Sequence, residues 1–315
     1  MRQAVKIWVV VAAMVMGCAL PPQVMGDNVL TAQWCAQAKS KHKKPKKDKK
    51  NKKNKVKKTT VASASPLLGV PTLGKAAPTS SVAAATPQQQ TNALLAVNLP
   101  KGLPNQVLNY QAIRVNFNPA LRIPNCVAYE LTATMVDMTD APGHENRKNY
   151  NYAKDAAVKS CPENWEYRGS GYSRGHMAPA MDMRWDKTAM KQCFYMTNMC
   201  PQDTKLNNDH WRVLEEKVHR WAKRDKRLVI FTGPIMGKTP KTIGKDKANI
   251  AVPDAFFKVV YAPDKGRSIA FIYENRPCPG GIGKRAVTVA EVERRTGLTF
   301  SSAIPKRQCK IEDWQ

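Results

Sequence analysis

The sequence has few acidic residues and few histidines. Its 315 residues include 24 Asp and Glu against 51 Lys and Arg, and the formal net charge is +27. This balance argues against an acidic, solvating protein and favours an anionic partner. Only five histidines are present, and no two cysteines have the close spacing of a structural zinc knuckle. No internal repeat is visible.

The sequence also lacks a long hydrophobic run. The most apolar stretch covers residues 7–20, which is shorter than the ~20 residues that a membrane-spanning helix needs. Arg2 and Lys6 precede it, as in a signal peptide. We therefore predict a signal peptide over residues 1–26, a mature chain without a transmembrane segment, and export to the periplasm or the medium. The alternative is a lipid anchor on Cys18, which follows a lipobox-like Val-Met-Gly.

Eight cysteines are present, and six of them follow residue 105. An even number of cysteines in an exported chain predicts disulfide bonds. Six cysteines allow fifteen pairings, and the sequence does not choose among them.

Residues 27–105 are predicted to be disordered. Residues 39–58 contain thirteen Lys, one Asp and one apolar residue, Val56, so burial cannot offset the ordering entropy. Residues 59–105 are rich in Ala, Ser, Thr, Pro and Gln and resemble a linker. The lysine tract is expected to bind either nucleic acid or an anionic cell surface.

A folded domain is predicted over residues 106–315, where aromatic residues and alternating apolar residues become frequent. The patterns predict strands at residues 126–134, 193–198, 227–232, 256–261 and 268–274, and helices at residues 204–223 and 291–295. This order favours the α+β class, with a largely antiparallel sheet and flanking helices.

The glycine-rich segment 169–180 contains the strongest candidate for chemistry. In an extended conformation, Arg174 and His176 lie on one face of a strand. A neutral imidazole with a pKa of about 6.5 can accept a proton from water. Taken alone, however, a histidine in a loop is more typical of a structural role.

Several segments together resemble the DNA/RNA non-specific endonucleases, which belong to the ββα-metal (His-Me finger) nucleases. The resemblance covers roughly residues 125–273, and it rests on the order and spacing of four segments: 173–176 (Ser-Arg-Gly-His), 197–202 (Thr-Asn-Met-Cys-Pro-Gln), 206–215 and 252–260. It implies a ββα-metal core in addition to the antiparallel sheet, and a nuclease domain over residues 106–315. Together with the signal peptide, it indicates a bacterial exported member.

The resemblance also implies a role for each matching residue. His176 corresponds to the general base, and Asn207 corresponds to the single side-chain ligand of a divalent cation, Mg²⁺ or another such as Mn²⁺. Glu215 corresponds to a helix acid that holds metal-bound water. Taken alone, Asn207 is more typical of a helix cap, and Glu215 of a solvated helix acid.

Four further residues complete the implied site. Arg174 corresponds to the arginine that faces the phosphate, and Asn198 to an asparagine that orients the histidine or the substrate. Arg147 is the candidate for a distal phosphate-binding arginine. Ser173, assigned to substrate binding, stands where the family usually has Asp, so a neutral hydroxyl replaces an anion.

The predicted function is therefore metal-dependent endonucleolytic hydrolysis of phosphodiester bonds in DNA and RNA, with 5′-phosphate products. Ser173 supports an alternative, a catalytically weak exported protein that binds nucleic acid. A third hypothesis is a surface adhesin that acts through the lysine tract.

Overall fold

The computed structural model describes residues 87–244, 249–308 and 310–315. All of them belong to one of two compact units, Pro78–Gln315. Its helices are α1 (Pro87–Leu94), α2 (Ala133–Asp140), α3 (Lys187–Cys193), α4 (Arg212–Asp225) and α5 (Val289–Thr296). Its strands are β1 (Val97–Asn98), β2 (Gln106–Asn109), β3 (Ile113–Asn118), β4 (Ile123–Thr132), β5 (Tyr172–His176), β6 (Met199–Asp203), β7 (Arg227–Ile235), β8 (Thr242–Ile243), β9 (Ile250–Ala251), β10 (Ala255–Ala262), β11 (Arg267–Glu274), β12 (Ala286–Val287) and β13 (Thr299–Phe300).

Seven strands form the central sheet in the order β12-β11-β10-β7-β4-β3-β2, and every neighbouring pair is antiparallel. The central strand β7 is buried along its whole length except for its first residue, and its neighbour β10 is buried throughout. Such strands contain nearly continuous apolar runs because both faces of the sheet are covered. The predicted α+β class with a largely antiparallel sheet is confirmed.

Two apolar clusters of buried residues lie in this unit. One includes α4, where Leu214, Val218 and Trp221 are buried. The other includes Phe231 and Phe257, whose rings lie 4.8 and 6.2 Å from that of Phe300. Leu94, Leu95, Val97 and Leu99 pack against this second cluster. The folded unit therefore starts before residue 106, within the segment that the composition identified as a linker.

Most of the predicted elements are present with boundaries shifted by a few residues. The strands predicted from residues 126, 227, 256 and 268 correspond to β4, β7, β10 and β11, and the short helix predicted at 291–295 is α5. The strand predicted at 193–198 is wrong. That segment contains the end of α3 and a 3₁₀ turn, Met196–Asn198, and its apolar residues are buried without being extended.

The predicted disulfides are also wrong for the cysteines that the structure describes. Cys126, Cys161, Cys193, Cys200 and Cys278 are free thiols, and all five are buried. Buried cysteines of this kind pack as small apolar side chains. The prediction failed because it assumed an oxidising compartment.

Two predictions, the signal peptide over 1–26 and the disordered lysine tract, lie outside the described residues. Within the described residues, no helix is both long and apolar enough to cross a membrane.

Candidate active site

A β-hairpin followed by a helix holds the candidate residues. Strands β5 and β6 pair so that His176 lies opposite Met199 and Tyr172 lies opposite Asp203. The carboxylate of Asp203 then accepts a hydrogen bond from the backbone N–H of Leu206 (2.8 Å), where a π-helical turn, Leu206–Trp211, leads into α4. Single π-turns inside α-helices are frequent at functional sites.

The motif Ser-Arg-Gly-His forms the end of β5, and its alternation has a geometric consequence. Arg174 and His176 lie on the same face of the strand, and Ser173 and Gly175 lie on the other. A Cβ atom at Gly175 would overlap the side chain of Gln202 on β6. Glycine at this position therefore allows the two strands to pair closely, and this pairing sets the position of His176, the next residue.

The rings of Tyr152 and Phe194 bring His176 together with two arginines. The ring of Tyr152 lies 5.6 Å from that of His176, 5.8 Å from the guanidinium of Arg147 and 5.5 Å from that of Arg174. Phe194 lies 5.0 Å from both His176 and the Arg147 guanidinium. We call these five residues the Tyr152 cluster. It joins Arg147 to Arg174 and His176, which the sequence had placed in a different segment.

The imidazole of His176 is neutral at physiological pH. Its Nε2 atom is buried and has no hydrogen-bond partner among the described residues. Burial lowers the pKa of His176 to about 3, and the positive charge of Arg147 acts in the same direction. An unprotonated nitrogen without a partner can accept a proton. The negative charge of a phosphodiester bound at the arginines would raise this pKa and make the nitrogen a stronger base.

Arg174 lies between two aromatic rings, and its position is further fixed by the backbone. Its guanidinium is 5.5 Å from the ring of Tyr167 as well as from that of Tyr152. Its Nη2 atom donates a hydrogen bond to the carbonyl oxygen of Asn164 (2.6 Å). Its Nε atom, in contrast, has no partner. Arg147 is held more loosely, through a bond from its Nη2 to the Tyr152 hydroxyl (3.2 Å).

Asn198 is fully buried, and its amide group bonds to the backbone only. Its Nδ2 donates to the carbonyl oxygens of Ala178 (2.9 Å) and Cys193 (2.8 Å), and its Oδ1 accepts from the N–H of Ala178 (3.0 Å). Its own carbonyl accepts from Met177, the residue after His176 (3.0 Å). These contacts support positioning of the His176 segment and argue against direct contact with substrate.

Glu215 lies on α4 near a buried lysine that the sequence reading missed. Lys258 on β10 is fully buried; its ammonium donates to the hydroxyl of Thr232 (2.9 Å) and lies 5.0 Å from the ring of Trp211. Burial raises the pKa of Glu215 and lowers that of Lys258, and the charge of each opposes the shift of the other. The Oε1 atom of Glu215 is buried without a partner.

The two remaining residues lie at the other end of the hairpin from His176. Asn207, half-buried in the π-turn, donates from its Nδ2 to Oδ1 of Asn208 (3.0 Å). The Ser173 hydroxyl bonds to that of Thr204 (3.0 Å). Ser173 thus has a neutral partner, and the Tyr152 cluster lies on the opposite face of its strand.

The donor set fits a hydrated divalent cation better than a fully enclosed one. No group of three or more His, Cys, Asp or Glu able to hold a metal occurs among the described residues. Magnesium keeps several of its waters and needs few protein ligands. The amide of Asn207 can supply one oxygen, and the unpartnered carboxylate oxygen of Glu215 can accept hydrogen bonds from a hydration shell.

Sequence reasoning missed Tyr152, Phe194 and Lys258. The tyrosines at 150 and 152 and the apolar segment after Cys193 were visible only as aromatic content. Lys258 lies inside the segment 252–260, and a lysine within a strongly apolar strand was the one available signal of a buried charge.

The hairpin followed by a helix, with a histidine on the first strand and an asparagine at the start of the helix, defines the ββα-metal class of fold. The profile of the DNA/RNA non-specific endonuclease family matches residues 90–307, and the chain belongs to this family.

Named relatives agree with this assignment. The chain is 31% identical over 196 residues to "Nuclease 1, mitochondrial" of Schizosaccharomyces pombe, which covers 55% of this chain and 61% of the relative. It is 31% identical over 234 residues to "Nuclease EXOG, mitochondrial" of Danio rerio, covering 67% and 64% respectively. It therefore spans a little under two thirds of the length of these relatives. A crystal structure of an EndoG/EndoGI complex contains a chain with a TM-score of 0.59 and 26% identity, covering 69% of this chain and 93% of that one.

The relatives overturn the prediction of a bacterial exported protein, because several of them are named as mitochondrial nucleases. A basic N-terminus with few acids is shared by export signals and by organelle transit peptides, so residues 1–26 do not distinguish the two.

Proposed function

We propose that this protein is a metal-dependent endonuclease that hydrolyses phosphodiester bonds in DNA and RNA. The observation that carries the proposal is the convergence of an unprotonated, unpartnered histidine with two arginines around the ring of Tyr152. Hydrolysis of a diester needs a base for water and positive charge for the phosphoryl oxygens, and this arrangement provides both.

In the proposed reaction, His176 accepts a proton from the attacking water. Arg174 and Arg147 face the phosphoryl oxygens, where forked guanidinium donors suit a phosphate better than a point charge does. Asn198 holds the backbone after His176 and so fixes the direction of the imidazole. Cleavage of the bond to the 3′ oxygen leaves a 5′-phosphate, as the family resemblance implies.

The cation would be held by Asn207, with Glu215 accepting hydrogen bonds from its hydration shell, and it would supply charge that stabilises the leaving oxygen. Magnesium is the cation we propose, because one amide oxygen and one carboxylate that bonds to the bound waters suit a hard ion that keeps most of its waters.

The alternative, a catalytically weak nucleic-acid-binding protein, is supported by one observation. Ser173, where the family usually has an acid, bonds to a second neutral hydroxyl on Thr204. Such a pair offers no anionic ligand near the proposed cation. Both proposals share the basic surface, so only catalysis separates them.

The test is nicking of supercoiled plasmid in magnesium and in a chelator. Wild-type protein should nick in magnesium alone, and His176→Ala should lose about 10²–10⁴-fold in rate while keeping DNA affinity. His144→Ala is a matched control, because that imidazole bonds to the carbonyl of Ala141 (2.9 Å) and lies outside the Tyr152 cluster. Equal, feeble rates in wild type and His176→Ala would favour the binding protein.

A further inference from the structure

Trp165 is an exposed aromatic residue directly beside the proposed phosphate site. Its side chain is 44% exposed, whereas Trp211, Trp221 and Trp314 are buried. It lies in a 3₁₀ turn, Asn164–Tyr167, that precedes β5. A single exposed apolar side chain is common on protein surfaces. Trp165 is distinguished by its position next to Asn164, whose carbonyl oxygen accepts a hydrogen bond from Arg174.

The backbone fixes how close Trp165 is to Arg174. The carbonyl oxygen that accepts the bond from Arg174 Nη2 (2.6 Å) belongs to the peptide group joining Asn164 to Trp165. Standard bond lengths therefore place the Cα atom of Trp165 within about 7 Å of that guanidinium nitrogen. A phosphate at Arg174 would have its own or the neighbouring nucleoside within reach of the indole ring.

The turn that carries Trp165 is held rigidly on its buried side. Glu163 and Glu166 form a capping box, and Arg122 donates two hydrogen bonds to the Glu166 carboxylate (2.7 and 2.9 Å). Tyr167 is buried, with the Arg174 guanidinium over its ring. A preformed display of this kind lowers the ordering entropy that binding has to overcome.

We propose that Trp165 stacks on an unpaired nucleobase adjacent to the phosphate that Arg174 binds, and so favours single-stranded nucleic acid. This rests on the proposed function for the phosphate position. Every base has a π-face, so stacking binds single strands with little regard to sequence. In a duplex the bases are already stacked on each other, and this contact is not available without disrupting them.

The experiment measures binding without cleavage, in a chelator, to a single-stranded DNA oligomer and to an abasic oligomer with the same number of phosphates. Trp165→Ala should weaken binding to the normal oligomer by on the order of tenfold and leave binding to the abasic oligomer unchanged. Trp165→Phe should keep most of the affinity and Trp165→Leu should lose it. Val107→Ala, at a residue of equal exposure on the sheet's edge strand, is the control.

Unchanged affinity in Trp165→Ala and Trp165→Leu would overturn the inference, and so would an equal loss on both oligomers. If the alanine variant does not fold, the comparison of phenylalanine with leucine decides the question. The plasmid assay reports separately on the proposed function. If the wild type fails to nick but Trp165→Ala loses affinity only for the oligomer with bases, the proposed function is wrong and the stacking contact stands.

Discussion

The imidazole of His176 is surrounded by two rings and a guanidinium, and this environment determines its protonation. Burial is the larger cause of its low pKa, and the charge of Arg147 is the second. In Arg147→Met the burial remains while the charge is lost, so the pKa should rise from about 3 but stay below the usual ~6.5. Proton NMR titration of the histidine Cε1–H signals in metal-free protein measures it, with His176→Ala used for assignment.

Lys148→Met is the matched control, because it removes one positive charge from the neighbouring exposed residue. It should leave the titration of His176 unchanged. Because the pKa of His176 is lowered to about 3, the pH profile of kcat/KM for the wild type should show no acidic limb at pH 6.5 from this histidine. A wild-type pKa near 6.5 would contradict the burial of the His176 Nε2 atom.

Substitution of Ser173 tests how the missing acidic residue affects binding of the cation. An aspartate there would add one negative charge near Thr204 and the start of the π-turn. At ~4–8 Å in a largely aqueous setting, that charge contributes roughly 1–2 kcal/mol of attraction to a divalent cation. Ser173→Asp should thus reduce the magnesium concentration for half-maximal nicking about five- to thirtyfold. Ser173→Asn, which matches the shape without the charge, should have a much smaller effect.

At the scale of secondary structure, the sequence predicted the elements whose pattern is local. Helix α4 shows the spacing of Leu214, Val218 and Trp221, and the strands β10 and β11 are divided by a turn that ends at Gly266 with φ of 58°. The segment 193–198 was misassigned because β-rich composition reflects burial as much as extension. Asn198 shows the difference, since it is buried in a 3₁₀ turn and its amide donates to the backbone carbonyls of Ala178 and Cys193.

Helix α4 is also joined to β4 and to a 3₁₀ turn, Ala180–Met183, by a buried network. His219 Nδ1 and the Tyr129 hydroxyl both lie 2.8 Å from carboxylate oxygens of Asp182, which is buried. Burial alone would lower the pKa of His219, but the bond to Asp182 and the charges of Asp182 and Asp140 outweigh it and raise the pKa. Protonated His219 therefore stabilises the fold.

The sign of the pH dependence follows from that raised pKa. The contribution of His219 to stability is complete below the unfolded pKa of about 6.5, and it is lost as the pH rises through the higher folded value. In His219→Asn, whose amide can still donate to Asp182, the free energy of unfolding should decline less between pH 6 and pH 9. Urea denaturation at several pH values measures it. Parallel pH curves for the two proteins would contradict the prediction.

For the molecule as a whole, the class of fold could be predicted from the sequence, and so could the segments that contain the candidate site residues, because the motifs and the strand pattern are contiguous in the chain. It did not predict the Tyr152 cluster, since its members come from a loop, a strand and the residue after α3. Such contacts depend on tertiary packing and leave no periodic signal. The predictions of export and of disulfide bonds were both wrong, because the second prediction depended on the first.

The lysine tract at residues 39–58 should affect how the full chain binds DNA. Each phosphate neutralised by a lysine releases counterions, and the slope of log K against log salt is about −0.9 per contact on duplex DNA. Thirteen lysines are available in the tract. Replacing them with glutamine, at constant length, should make the salt slope of DNA binding clearly shallower and weaken binding at low salt.

Turnover at saturating substrate should be unchanged in the same variant, because all of the proposed catalytic residues lie between Arg147 and Glu215. Fluorescence anisotropy across a salt series measures DNA affinity, and plasmid nicking measures turnover, so the two assays separate binding from catalysis. A shallower slope with unchanged kcat assigns the tract to capture of the phosphate backbone. Loss of turnover on replacing the lysines would contradict that assignment, because chemistry at His176 requires no contact from the tract.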